Sequence, residues 1–403
     1  MRQTKSISWM ALGVLLLVLG LILPAEAGKY DGWRWTPLPG KLNQARWGTA
    51  GGTPRLKDGR TFVVGGWANV AGTVPLLTTE LYDPATGIWS LANNSISSPA
   101  VGAGIVRLKD GRLLLCGGQI GSNDSTTRAE TFDPATLTWS PVTPMNQKRR
   151  NFSAILLSDG KVLVVGGMGG TEYLNSAEIY DPAQNTWTLT ASMAVARSTP
   201  GVALFPNAQQ QVLAVGGVGT SGILSNAEIY SYDPQTGTGS WSPAADLVPP
   251  RTGAFNLCMV SGKIFNFGGY TTSWVLTGNA QLYDPVNNTW SPTGNLNQAR
   301  ELMSYGPIKY TLNGVVSLYS DYAIAGGRFG GVALKTTEIY DMNAGTWHYS
   351  GSLNTARFGA RTSGPPGGGS LFVVGGCDGT QVLDSMEIFG PPNIQALLLL
   401  LLN

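Results

Sequence analysis

Short apolar runs end in Gly-Gly seven times along this chain, at Gly65-Gly66, Gly117-Gly118, Gly166-Gly167, Gly216-Gly217, Gly268-Gly269, Gly326-Gly327 and Gly375-Gly376. Thr61-Phe62-Val63-Val64 and Val162-Leu163-Val164-Val165 are typical of the runs. Apolar stretches of this length, rich in β-branched residues and closed by glycine, predict buried strands. Successive pairs are separated by 52, 49, 50, 52, 58 and 49 residues. A strand-built repeat of that period predicts a propeller or a solenoid.

The third unit, from Asn151 to Met193, reads as four strands. Phe152 to Leu157 forms strand A, and Asp159-Gly160 supplies a hairpin turn into strand B, Lys161 to Val165. A variable loop follows the glycine pair. Ala177 to Tyr180 then forms strand C, Asp181-Pro182 turns the chain, and Thr186 to Leu189 forms strand D. In the other units strand C carries Tyr82, Phe132, Tyr230 or Tyr232, Tyr283, Tyr340 and Phe389, and strand D carries Trp89, Trp139, Trp241, Trp290 and Trp347. A four-stranded sheet with two apolar faces must be covered on both sides, which predicts radial stacking.

The two ends of the chain complement each other. The seventh unit reaches Phe389 but then meets Pro391-Pro392, with no strand D tryptophan. The missing element is present near the other terminus, where Trp35-Thr36-Pro37-Leu38 leads to Ala45-Arg46. We therefore expect an all-β, seven-bladed β-propeller of four-stranded antiparallel blades, closed by an N-terminal strand that completes blade seven and removes the open edge.

Gly-Gly after an apolar strand, then Tyr-Asp-Pro, then Trp, is a pattern that resembles the kelch-repeat family. The resemblance covers about residues 33–390. Three units depart from it. Blade four has Tyr230-Ser231-Tyr232-Asp233-Pro234, read as a bulge or an insertion; blade six has a longer A–B region from Thr311 to Tyr322; blade two has Pro99 where most units have arginine. The family is functionally broad, so the resemblance implies a fold and leaves the function to the site.

Residues 1–27 read as a secretory signal peptide, with Arg2 and Lys5 before the apolar run Trp9–Leu23 and Ala25-Glu26-Ala27 offering a cleavage site. The chain is then expected to be secreted or periplasmic, with the propeller over residues 28–392, an apolar tail over 393–403, and no transmembrane domain after cleavage. Without residues 1–27 it carries 24 basic and 23 acidic side chains. So balanced a charge offers no field for nucleic acid, and a monomer is expected. Cys116, Cys258 and Cys377 fall in three different units, read as small core residues without bridges.

In an A-B-C-D meander the A–B and C–D turns share one face of the ring, and the B–C and D–A loops share the other. The first face has mostly short Asp-Gly and Asp-Pro turns, so a ligand is expected on the second. Six units place an arginine at the D–A junction: Arg46, Arg149, Arg197, Arg251, Arg300 and Arg357. Strand C begins with Glu80, Glu130, Glu178, Glu228, Gln281, Glu338 and Glu387 at a matching height. The arginines could recognise carboxylates, but the simpler reading is a set of structural pairs.

Residues outside the repeat are better candidates for ligand binding: Trp67, Arg150, Glu172, Tyr173, Tyr270, Trp274, Arg328, Phe329 and Asp378. Aromatic platforms with a few charges suit a glycan or an extracellular protein. His348 is the only histidine, which leaves no multi-histidine metal site and no Ser-His-Asp triad to expect, and no cofactor or metal is called for. The chain departs here from kelch proteins that are copper radical oxidases, whose site needs two histidines. Resemblance to exported kelch proteins that act as sialic acid mutarotases implies an alternative, a metal-independent isomerase using Glu172 with Arg150 or Arg197. The stretch Asp233 to Trp241 superficially resembles a sialidase Asp-box, but it falls on a C–D turn and is read as structural.

Overall fold

The computed structural model describes residues 30, 32–50, 56, 58–121, 123–205, 211–258, 261–308, 311–312, 315–316, 321–363 and 370–391, the side chains of 255–258, 311–312, 315–316 and 363 excepted. The signal-peptide and C-terminal tail expectations lie outside these residues, as does the Cys258 side chain. Among the described residues there is no helix, and hence none long and apolar enough to cross a membrane.

Among the described residues seven antiparallel sheets form the blades, six of them four-stranded meanders in the order A-B-C-D and one, blade one, described as B-C-D. Blade three is Ser153–Leu156, Val162–Val165, Ala177–Asp181 and Thr186–Thr190, paired in that sequence. In blade one, strands B to D are Thr61–Val64, Thr79–Asp83 and Ile88–Leu91. Residues 51–55 lie outside the description, but Ala50 N donates to Val64 O and Leu56 N to Arg60 O on either side of them. Blade seven takes its outer strand from the N-terminal segment, with Arg34–Pro37 against Met386–Gly390 and Trp35 opposite Phe389.

The core is a ring of seven apolar clusters among the described residues, one between each pair of neighbouring blades. Closure is visible where Phe372, Val374 and Ile388 of blade seven pack with Val63, Tyr82 and Trp89 of blade one. The strand C aromatic and strand D tryptophan are cross-strand partners in every blade, with ring centroids 4.9–5.3 Å apart. Such contacts add about 0.5–1.5 kcal/mol to the area that each ring buries.

Blade four resolves the expected bulge or insertion. Its strands Ala227–Asp233 and Thr238–Ala244 pair continuously, Tyr230 opposite Trp241 and Tyr232 opposite Gly239. The hairpin is longer on both arms and has no bulge. Gly239 is required there, since a Cβ would overlap the Tyr230 ring. Tyr232 donates its hydroxyl to Asp159 in the A–B turn of blade three, at 3.0 Å. The longer A–B region of blade six forms a two-stranded ribbon, Thr311–Leu312 with Val315–Val316.

Candidate functional site

The repeated arginines build the frame of the loop face. Arg46–Glu80, Arg149–Glu178, Arg197–Glu228, Arg300–Glu338 and Arg357–Glu387 are ion pairs of 2.6–2.9 Å, with both side chains buried. The same glutamates accept two backbone N–H groups from the preceding loop, as Glu80 does from Asn43 and Gln44. For Arg46, Arg197, Arg300 and Arg357, burial lowers the guanidinium pKa and the paired glutamate pulls it partly back. These pairs are structural, and Arg197 is held among them by Glu228, Gly216 O and Asn226 O.

The glycine pairs belong to the same frame. The second glycine donates its N–H to the carbonyl of the next blade's arginine, at 2.8–3.0 Å for Gly118, Gly167, Gly217, Gly327 and Gly376. In those blades a Cβ on the first glycine would overlap that carbonyl, and all seven pairs have positive φ at both positions. Only glycine meets both conditions. In blade two, where Pro99 replaces the arginine, Arg128 at the start of strand C takes over. It donates to Gly117 O at 2.8 Å and to Ser98 O.

Two columns of non-repeating residues stand on this frame. The residue after each junction arginine exchanges backbone hydrogen bonds with the residue after each glycine pair: Trp47 with Trp67, Arg150 with Met168, Ser198 with Val218, Thr252 with Tyr270, Glu301 with Arg328, and Phe358 with Cys377. One position further on the backbone is left-handed, at Gly48, Gly102, Asn151, Thr199, Gly253, Leu302 and Gly359. Neighbouring blades are stitched together there, for example by Thr199 N to Asn151 O at 2.7 Å and Gly48 N to Gly359 O at 2.8 Å. Threonine and leucine seldom adopt this conformation, and such strain gathers at functional surfaces.

From blade five round to blade one the two columns form a connected strip of side chains. Arg328 meets Glu301 through Nε and Nη2, at 2.8 and 2.6 Å. Its guanidinium lies 5.1 Å from the Phe358 ring centroid, and Phe358 packs edge-on against Trp47 at 5.6 Å. On the other side Tyr270 shares Glu301; burial, and then its hydrogen bond to that carboxylate, push the phenol up to about 12. Trp274 stands 6.0 Å from Tyr270; the residue is 61% exposed and its backbone is left-handed at φ 56°. Exposed Val275, Phe329 and Val332 lie on the same B–C loops.

Among the expected ligand residues, the fold therefore brings Trp67, Tyr270, Trp274 and Arg328 onto one arc, with Phe329 on the loop beside it. Glu301, Phe358, Trp47 and Cys377 join them and were not among the expected residues. Asp378 is on this side too, but it accepts hydrogen bonds from Thr380 and Gln381 of its own loop. Partial burial works against its charge, and those bonds win, holding it near a pKa of about 2. Arg150, Glu172 and Tyr173 lie apart, in blade three. Arg150 is 7% exposed and, among the described residues, its guanidinium reaches the Ser125 hydroxyl at 3.4 Å and the Met168 sulfur at 3.9 Å. Glu172 is exposed on the Met168–Tyr173 hairpin, with no ion pair to Arg150 among the described residues.

Buried Cys116 and Cys377 are free thiols, and burial pushes Cys116 up to about 12. His348 is exposed on the outer strand of blade six, 6.3 Å from the Tyr30 ring.

Residues 53–269 match the family model described as the KLHDC2/KLHL20/DRC7 Kelch-repeats domain. Kelch-like protein 25 of Xenopus tropicalis is 29% identical over 162 residues, 40% of this chain and 24% of that protein. Across the curated relatives compared, the matched segment spans 16–32% of their length. A fungal alcohol oxidase of the AA5 family, solved in complex with copper, superposes with a TM-score of 0.63 at 19% identity, covering 89% of this chain and 76% of that one. The structure of YjhT superposes at 0.55 and 14% identity, covering 78% of this chain and 99% of that one. At these identities the two structures speak to the fold alone.

Proposed function

Since the chain belongs to the kelch-repeat family, we propose that it is a binding module whose loop face, over blades five, six, seven and one, holds a glycan or a segment of an extracellular protein. The observation that carries this reading is the strip Trp274–Tyr270–Glu301–Arg328–Phe358–Trp47. Phe358 is buried beneath the strip; the accessible faces of Trp274, Tyr270 and Trp47 suit sugar C–H groups or apolar side chains, and the charged pair suits hydroxyls and amides. Trp274 supports it further, because a large exposed indole on a left-handed backbone is costly to a scaffold and useful to a ligand. The extracellular setting rests on the signal-peptide reading of residues 1–27.

A panel of soluble oligosaccharides and secreted proteins, screened against the protein and its Trp274→Ala and Arg328→Ala variants, tests the reading. Binding by the parent that falls at least tenfold in either variant supports it; binding unchanged in both moves the site elsewhere. The alternative, a sugar isomerase, rests on exposed Glu172 and buried Arg150, both in blade three. It has less support, because Arg197 is engaged by Glu228. Anomer interconversion followed by NMR and lost in Glu172→Gln would favour it.

A further inference from the structure

Blade five breaks the arginine–glutamate rule on both sides. Arg251 is 1% exposed, like its counterparts, but strand C offers Gln281 in place of a glutamate. The preceding loop differs to match. Where Asn43 and Gln44 give N–H groups to Glu80, the equivalent residues are Val248 and Pro249, and proline has no N–H to give. Gln281 accordingly turns its amide N–H to Val248 O. The Arg251 guanidinium keeps one bond of the usual set, from Nη1 to Asn279 O at 2.7 Å.

Its Nε and Nη2 have no hydrogen-bond acceptor among the described residues. Elsewhere Nη2 meets the glutamate, and Nε, idle also in Arg149, meets the carbonyl two residues earlier in four corners. These two nitrogens share one edge of the guanidinium plane, the edge that takes both oxygens of a carboxylate in bidentate pairs. Arginine does not escape burial by losing its proton. Even with its pKa lowered to about 10 by burial, it is charged at neutral pH. A buried charge with two idle donors on one edge calls for a compact anionic partner.

We propose that the Arg251 corner binds a small monovalent inorganic anion such as chloride, which takes the Nη2 contact that a glutamate carboxylate makes in the other blades and uses the idle Nε beside it. The site lies beneath the strand-like pair of Thr252 with Tyr270, so the anion supports the backbone that carries the aromatic strip. No charged partner enters through the sequence at this corner, and the bidentate edge of Arg251 supplies the specificity for an anion over water.

Thermal unfolding of the full chain at constant ionic strength, with sodium chloride stepwise replacing sodium gluconate, tests the proposal. The melting temperature is expected to rise by about 2 °C for each tenfold increase in chloride above its dissociation constant. Gln281→Glu, which supplies a covalent carboxylate, is expected to abolish that response. Equal melting in the two salts, or an undiminished response in Gln281→Glu, would overturn the proposal. Should that variant fold poorly, a bromide soak of parent crystals gives an independent reading. An anomalous peak within hydrogen-bond reach of Nε and Nη2 supports the site, and its absence there counts against it.

Discussion

Trp274 concentrates the functional argument in one residue. Its left-handed backbone costs an L-residue about 1–2 kcal/mol, and its exposed indole recovers little of that by burial. Trp274→Gly removes the steric penalty, while the added chain entropy of glycine offsets part of the gain. The melting temperature of that variant should therefore hold steady or rise slightly, even as ligand affinity falls; a fall of several degrees would mean that the indole holds the loop together. Tyr270 supplies a second residue-scale prediction. Its folded pKa is raised to about 12, so the phenol's contribution to stability is complete below its ordinary value near 10 and disappears as pH rises through 12. Difference titration against Tyr270→Phe should show phenolate forming only near pH 12, and Glu301→Gln should move that step downward. These two aromatics were legible in the sequence because they interrupt the repeat. Glu301, Phe358 and Trp47 were not, because each follows a repeating arginine and gains meaning only when its backbone partner across the loop is known.

At the scale of the element, the blade corner is the unit of construction. One arginine ties together a glycine carbonyl, the carbonyl just before strand C and a glutamate, and that glutamate gathers two N–H groups of the preceding loop. Removing one partner strands a buried charge. Glu178→Ala should cost about 3–5 kcal/mol, read as a loss in denaturant midpoint, whereas an exposed carboxylate such as Asp246 should cost far less. The repeated Arg and Glu columns made this pairing readable from spacing alone. Blade two shows the limit of such reading. Arg128 replaces the missing arginine from another position in the sequence, and only the shared Gly117 carbonyl reveals the exchange. Blade four shows another. An insertion in strand C looked compatible with a bulge, but strand D had lengthened to match it, and the register from Tyr230 to Trp241 stayed whole.

For the molecule as a whole, closure joins residues more than 350 positions apart, Trp35 with Phe389. The seven intervals announced the ring, and the missing tryptophan in the last unit announced how it shuts. Trp35 is 4% exposed and its indole donates to Thr337, so the closing strand also braces blade six. Deleting Trp33–Leu38 should unfold the protein or lower its melting point by well over 10 °C, because blade seven would lose its outer strand and part of the cluster it shares with blade six. An unchanged melting curve would contradict the closed ring. The central functional claim is that the loop face, and not the face of tight turns, binds. The most direct measurement compares the affinity of the best ligand from the oligosaccharide and protein panel for Trp274→Ala and for Val286→Ser, which alters a residue 90% exposed on the opposite face. The account predicts at least a tenfold loss for the first and no change for the second; loss in Val286→Ser with binding intact in Trp274→Ala would contradict it.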